Sequence, residues 1–349
     1  MIATVTHILP LAHIRRARML PGKGRILARV GQEVNAAYVV AEADLPGSHI
    51  LVDVRRILGL RRAEQAHRLI ERKVGERVEK GDILAQTGGL LPKVIRAPLD
   101  STIVSIQRGQ ILLEKAGEHF ELKAGLNGVV SEVLAERGVV IETHGALIQG
   151  VWGNGQINSG MLQFAASQAD EEIHRANLDM SLRGSIVVGG FIHKPDALDA
   201  AEELPLRGLI VGSISAALIA AAQKCTVPIM VTEGFGQIPM NRAAFRLLKT
   251  HEKREVSINT NWNPEIGERP EVVVPLPSQG QTPMDAVEFT VGQTVRILSA
   301  PYAGEIGTLT AIRPARVTLP GGLRAQVAEI RLENNQQISL PLTNLDVLE

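Results

Sequence analysis

Between Gly184 and Trp262 the chain alternates short apolar runs with helical patterns, and this stretch constrains the fold most tightly. The apolar runs are Ile186–Val188, Leu209–Val211, Val227–Val231 and Val256–Ile258. Helical patterns fill the gaps at Asp196–Leu204, Ala216–Lys224 and Arg242–Thr250. Four such runs separated by three helices of roughly ten residues read as a small parallel α/β unit. Everything before and after it reads as short strands and tight turns.

Open parallel sheets bind ligands at the carboxyl ends of their strands. That rule selects Gly189, Gly190, His193 and Lys194 after the first run, Gly212, Ser213 and Ser215 after the second, and Thr232, Glu233 and Gly234 after the third. Ser213 and Ser215 suit the start of a helix, where a hydroxyl satisfies an orphan amide. The same helix end would hold a carboxylate or phosphate, with Lys194 and His193 adding charge, so a small anionic ligand is one expectation. Helix capping accounts for the serines without a ligand. Glu233 and His193 would make an acid–base pair only if their loops converge. The nine histidines are scattered and form neither HxH nor HExxH. Glu142 and His144, two apart on a strand, suit a hairpin-end hydrogen bond better than a metal. No catalytic set, no metal and no cofactor are therefore expected.

Charge narrows the partner only partly. Lys plus Arg and Asp plus Glu both total 37. Up to Gly125 there are 20 basic against 13 acidic residues, and the remainder carries 17 against 24. Such asymmetry suits an anionic partner for the first third, or docking of one half of the chain on the other. The single cysteine, Cys225, excludes an intrachain disulfide and reads as a small buried hydrophobe. No apolar run approaches the roughly 20 residues of a membrane span. Met1–Pro10 lacks a basic start and a cleavage site, so it reads as a strand of a cytoplasmic protein with no membrane partner.

In the first third, Val30-Gly31-Gln32-Glu33-Val34 and its sequel Tyr38–Ala41 share a grammar with Val74-Gly75-Glu76-Arg77-Val78-Glu79-Lys80-Gly81-Asp82-Ile83-Leu84-Ala85. Two strands joined by a glycine-centred turn explain both copies. The second copy continues as Val94-Ile95-Arg96-Ala97-Pro98-Leu99-Asp100-Ser101-Thr102-Ile103-Val104. Together these lines resemble the biotinyl/lipoyl-like barrel-sandwich hybrid. Carrier members of that family bear their cofactor on a lysine at a hairpin tip. Here Lys80 lies instead in the strand-linking turn, which implies a barrel without a carrier role. Between the copies, about 58–73 reads as an inserted helix whose Arg61, Arg62, Arg68 and Arg72 make a basic face, a candidate surface for nucleic acid or a partner. A solvated face covering the barrel end is the plainer reading. The glycine-dense Gly150–Gly160 stretch suits tight turns better than an anion-binding nest, since it carries no phosphate-binding lysine.

After five prolines between Pro264 and Pro283, Phe289 to Val347 reads as five short strands. Its opening Phe289–Ile312, with an alternating strand, the Pro301-Tyr302 turn and Gly307, resembles the KOW motif of NusG-type elongation factors and some ribosomal proteins. The closing Gln337–Val347 also matches. The resemblance implies an SH3-like barrel that binds RNA or protein; Arg296 and Tyr302 are candidates to stack one base. From Val287 to Glu349 there are five arginines, no lysine and six acidic residues, and a slightly acidic barrel favours a protein partner.

The expected fold class is thus multidomain, mainly β (small barrels) with one central parallel α/β domain and an SH3-like barrel at the C-terminus. The expected boundaries are 1–160, 161–263, a proline-rich linker 264–286, and 287–349. The leading function is a non-enzymatic adaptor or scaffold binding protein partners. A nucleic-acid-associated factor using the basic first third comes second, and an enzyme or sensor with an anionic ligand at the α/β loops third.

Overall fold

The computed structural model describes residues 2–89, 91–263, 265, 267–319 and 321–349. The chain is mainly β, with 46% in strands against 13% in helices. Two compact units divide it: Leu20–Arg25 with Ala41–Glu121, and Ile26–Val40 with the residues up to Met19 and Leu122–Glu349. None of the described helices is long and apolar enough to cross a membrane.

The smaller unit holds an antiparallel sheet in the order His49–Asp53, Gln110–Glu114, Ser101–Gln107, Arg77–Val78. A separate hairpin pairs Ile83–Gln86 with Val94–Arg96. Leu84, Ile103, Ile111 and Leu113 fill its core at 0% exposure. The glycine turns fall where the repeated grammar puts them: Gly75 at φ 87° and Gly81 at φ 96° occupy the left-handed region that glycine enters without a Cβ penalty. The helix expected over about 58–73 is two short ones, α1 (Val54–Leu58) and α2 (Ala63–Arg68). Asp53 caps the start of α1 through the Arg56 amide, and Gly59 at φ 69° ends it. Beyond α2 the chain turns extended, where Ile70 bridges Ala85 and the Glu71 amide donates to the Leu84 carbonyl.

The larger unit is built on an eleven-stranded sheet among the described residues. At its centre Ile157–Phe164, Ser185–Ile192, Gly208–Ile214 and Ile229–Phe235 are parallel neighbours in that order. Alternate residues face opposite sides. Val187, Leu209, Val211 and Val231 join one core with Ala197 and Ala201 of α3 (Asp196–Glu203) and Ala222 of α4 (Ile219–Ala222). Ile186, Val188, Ile210 and Met230 join another with Ala244 and Leu248 of α5 (Arg242–Thr250). Burial on both faces is why these strands read as unbroken apolar runs.

The fourth run differs from expectation. Glu255–Asn259 pairs antiparallel with Ile157–Phe164 instead of continuing the parallel order. The far edge, beside Ile229–Phe235, is already taken by Trp152–Gly153. Glu271–Pro275 follows, paired antiparallel with Glu255–Asn259 and with the long strand Gly138–Gln149. Within the proline-rich stretch of 264–286, the apolar run Val272–Val274 reads as a strand closing onto these strands and forms one, with Val272 and Val274 at 0% exposure; Pro264, the expected start of the stretch, lies outside the described residues.

The C-terminal strands Thr294–Ile297, Ile306–Ile312, Val327–Leu332 and Gln337–Pro341 form an antiparallel meander. A 3-10 turn at Leu342–Asn344 leads into Leu345–Leu348, which returns beside Thr294–Ile297. The sheet then takes in the first strand of the chain, as Ile2–Thr6 lies parallel to Leu345–Leu348 and antiparallel to Ala286–Glu288. Among the described residues the strand orders are open at both ends and no closed barrel is found.

Candidate functional site

The carboxyl ends of the parallel strands are the place to look for chemistry, and protein fills them. Gly189 and Gly190 are buried under the segment 165–173: a Cβ on Gly189 would lie 1.8 Å from Ile173 Cδ1, and one on Gly190 2.4 Å from the Glu171 carbonyl oxygen. A Cβ on Gly212 would lie 2.4 Å from the Met240 amide nitrogen. Gly189 admits the Ile173 side chain, and Gly190 and Gly212 admit neighbouring backbone, in place of the expected ligand. Ser213, fully buried, donates to the Gly236 carbonyl at 3.1 Å and accepts from the Ile238 amide at 2.9 Å. It fastens a loop across the strand end. Ser215 precedes a 3-10 turn and makes no capping hydrogen bond, so neither serine caps the helix as expected; the loop contacts of Ser213 take its hydroxyl. His193 and Lys194 are exposed. Gly234, at φ 140°, carries the chain from Glu233 into the turn beyond.

Thr232 and Glu233 belong to a buried ionic network. The Thr232 hydroxyl donates to the Val211 carbonyl at 3.3 Å. One Glu233 oxygen accepts from the Asn241 amide at 3.1 Å, and the other from Arg296 Nη1 at 3.1 Å. Arg296 Nη1 also donates to the Thr232 carbonyl at 2.8 Å, and its Nη2 to Asp346 at 2.7 Å. Thr6 completes the set by donating to Asp346 at 2.8 Å while accepting from Arg296 and from Arg269. Arg296 and Asp346 are each 2% exposed. Burial alone would lower the Arg296 guanidinium, but Asp346 and Glu233 outweigh it and hold it above its ordinary value. Arg269, which burial pushes down, has the opposite balance. With both Glu233 oxygens occupied, no hydrogen bond joins it to His193 among the described residues. The arrangement anchors the C-terminal strands to the end of Ile229–Phe235 and offers no acid, base or nucleophile to a substrate.

The remaining candidates scatter. Arg61, Arg62 and Arg68 are exposed around α2, while Arg72 is held by Glu76 at 2.7 Å and the Ile83 carbonyl at 2.7 Å. Tyr302 is half-buried against the C-terminal core, its hydroxyl accepting from Gln336 at 3.3 Å. Arg296 is buried in the network and unavailable to stack a base. Glu142 accepts from Arg15 at 3.0 Å, and His144 stacks on His13 with ring centroids 4.6 Å apart. Among the described residues no three His, Cys, Asp or Glu side chains group as metal ligands. Lys80 is exposed in its turn, its amide donating to Asp100 at 2.7 Å.

The Gly150–Gly160 stretch is organised by a residue that glycine density concealed. Asn154 donates to the carbonyls of Ala222, Cys225 and Val227, and accepts from the Ile229 amide and the Thr260 hydroxyl, at 2.9–3.1 Å. Gly153 lets that knot close, since a Cβ there would meet the Thr260 carbonyl at 2.3 Å. Thr6, Arg269 and Asp346 were equally illegible, because network partners 340 positions apart leave no local signal. Two clefts open nearby, both lined by Pro239, Met240 and Arg242. One, of 390 Å³, faces the turns at Ala303–Ile306 and Glu333–Asn334; the other, of 530 Å³, runs along α5.

No protein-family model matches the chain, and no curated protein is similar to it.

Proposed function

We propose that the chain is a non-enzymatic, multi-module adaptor that holds protein partners through its small β modules. In this reading the parallel strands and their helices make a central α/β domain that serves as a rigid hub. The C-terminal strands make a KOW-like, SH3-type module, and the smaller unit a barrel-sandwich-like module without a carrier lysine.

One observation carries the proposal: Glu233 and Arg296 neutralise each other at 3.1 Å in the interior. That contact takes the best acid from the enzymatic reading and the best base-stacking cation from the nucleic-acid reading. Both groups are spent on holding two sets of strands together, as a scaffold requires. Replacing a buried ion pair by apolar groups is often neutral or stabilising, so in this reading the pair serves to fix one geometry.

The test pairs two measurements on the intact chain. Cross-linking in a host extract, followed by mass spectrometry and reconstitution from purified components, is expected to yield a stoichiometric protein partner joined to the β modules. Fluorescence anisotropy with labelled RNA and DNA oligomers, at low and at physiological salt, is expected to stay flat. Affinity falling steeply with salt, and lost on substituting Arg61, Arg62 and Arg68 together, would replace the adaptor reading with the nucleic-acid one.

A further inference from the structure

The cleft along α5 breaks the ordinary rules of helix electrostatics. Arg242, Arg246 and Lys249 all line it, and their spacing of four and three puts them on one stripe. Like charges so placed destabilise a helix by mutual repulsion. Arg242 also sits at the first helical position, where the dipole disfavours a cation, and the first turn holds no acidic residue. Compensation within the protein is thin. Arg242 meets Glu333 at 3.5 Å with both side chains well exposed, and Lys249 meets Glu252 at 3.0 Å. Arg246 is exposed and has no ion-pair partner among the described residues. Asp170 is the one carboxylate on the cleft wall.

The floor is apolar. Met240 is 2% exposed, and its amide is tied to the Ala169 carbonyl at 3.0 Å, which fixes the two walls. Phe245 stands edge-on to Phe164, centroids 5.3 Å apart, and Lys249 Nζ is held 4.2 Å above the Phe164 ring. That contact orders a side chain that would otherwise sample many rotamers. The volume, 530 Å³, falls within the range of small-molecule sites. A local arrangement that opposes folding and lines a cleft of ligand size marks a site kept for binding.

We infer that this cleft binds a phosphorylated small molecule, with phosphate against Arg242, Arg246 and Lys249 and an apolar or aromatic part against Phe245 and Met240. The site adjoins the strand-end loops, since Met240 packs against Gly212 and Ala169 against Gly190, and its lining includes none of Thr6, Thr232, Glu233, Arg296 or Asp346.

Isothermal titration calorimetry of the intact chain, with inorganic pyrophosphate and with ADP at constant ionic strength, tests the inference. Both probes are expected to bind, ADP more tightly because pyrophosphate leaves the apolar floor uncovered. Arg246→Ala, an exposed substitution, should weaken both by about tenfold, the loss of one charge-assisted contact. Lys224→Ala, which removes an exposed cation from another part of the chain, should leave both unchanged. Absence of binding by both probes overturns the inference. So does an Arg246→Ala variant that binds like the parent, or an equal loss in Lys224→Ala, which would reduce the effect to general charge screening.

Discussion

Replacing Arg296 by methionine tests whether the network at the end of Ile229–Phe235 governs the larger unit. The side chain is 2% exposed and faces two carboxylates, Glu233 at 3.1 Å and Asp346 at 2.7 Å. Methionine fills similar volume, so the cost comes from stranding two charges and the Thr232 carbonyl in the interior. Breaking a buried pair from one side costs about 3–5 kcal/mol. With a urea dependence of a few kcal/mol per molar, the unfolding midpoint should drop by on the order of 1 M. Trp152 provides the probe, since it is buried and packs edge-on to Phe235 with ring centroids 6.0 Å apart. Its emission should report the transition, although the exposed Trp262 also contributes signal. The triple variant Arg296→Met, Glu233→Gln, Asp346→Asn removes the stranded charges and keeps oxygens for the Asn241 amide and the Thr6 hydroxyl. It should recover more than half of the loss. A single variant costing less than about 1 kcal/mol, the range of an exposed pair, would refute the reasoning. A triple variant less stable than the single one would also refute it.

Three further outcomes follow. Asn154→Asp should be more destabilising than Asn154→Ala, because a carboxylate would face three carbonyl oxygens where the amide now donates; alanine should cost about 1–3 kcal/mol from unpaired buried groups, read by the same urea titrations. Gly212→Ala should cost about 1–3 kcal/mol from overpacking, since backbone lies within 2.8 Å on two sides. Gly22→Ala, with nothing within 4 Å, is the neutral control. Burial pushes the Cys225 thiol up to about 11, so the folded chain should react slowly with a disulfide reagent at mildly alkaline pH and release one equivalent quickly in urea. Because the folded value lies above the ordinary 9.0, its contribution to stability is intact below that pH and is lost as pH rises through about 11.

The legible parts of this fold are those written locally. Runs such as Ile186–Val188 and Leu209–Val211 declared themselves as doubly buried strands, and the turns at Gly75 and Gly81 as left-handed corners. Pairing was not legible. Whether Val256–Ile258 runs parallel depends on Trp152–Gly153 having already taken the other edge, a fact held a hundred residues away. At the strand ends, Gly189, Gly190 and Gly212 read as ligand loops, and each lies within close reach of neighbouring protein atoms. A missing Cβ serves an incoming ligand and an incoming side chain or backbone equally well, and nothing in the local pattern distinguishes them. Arg296 carried the same ambiguity, since an arginine on a strand looks alike whether it faces solvent or Asp346.

The parallel pairing of Ile2–Thr6 with Leu345–Leu348, in register at Val5 and Val347, bears on how the chain is made. Ile2–Thr6 is synthesised long before Leu345–Leu348, so it waits for the edge it will join. Contacts of such separation are slow to form. Until they do, the earlier strand lacks this neighbour and stays open to a chaperone or to another copy of the chain.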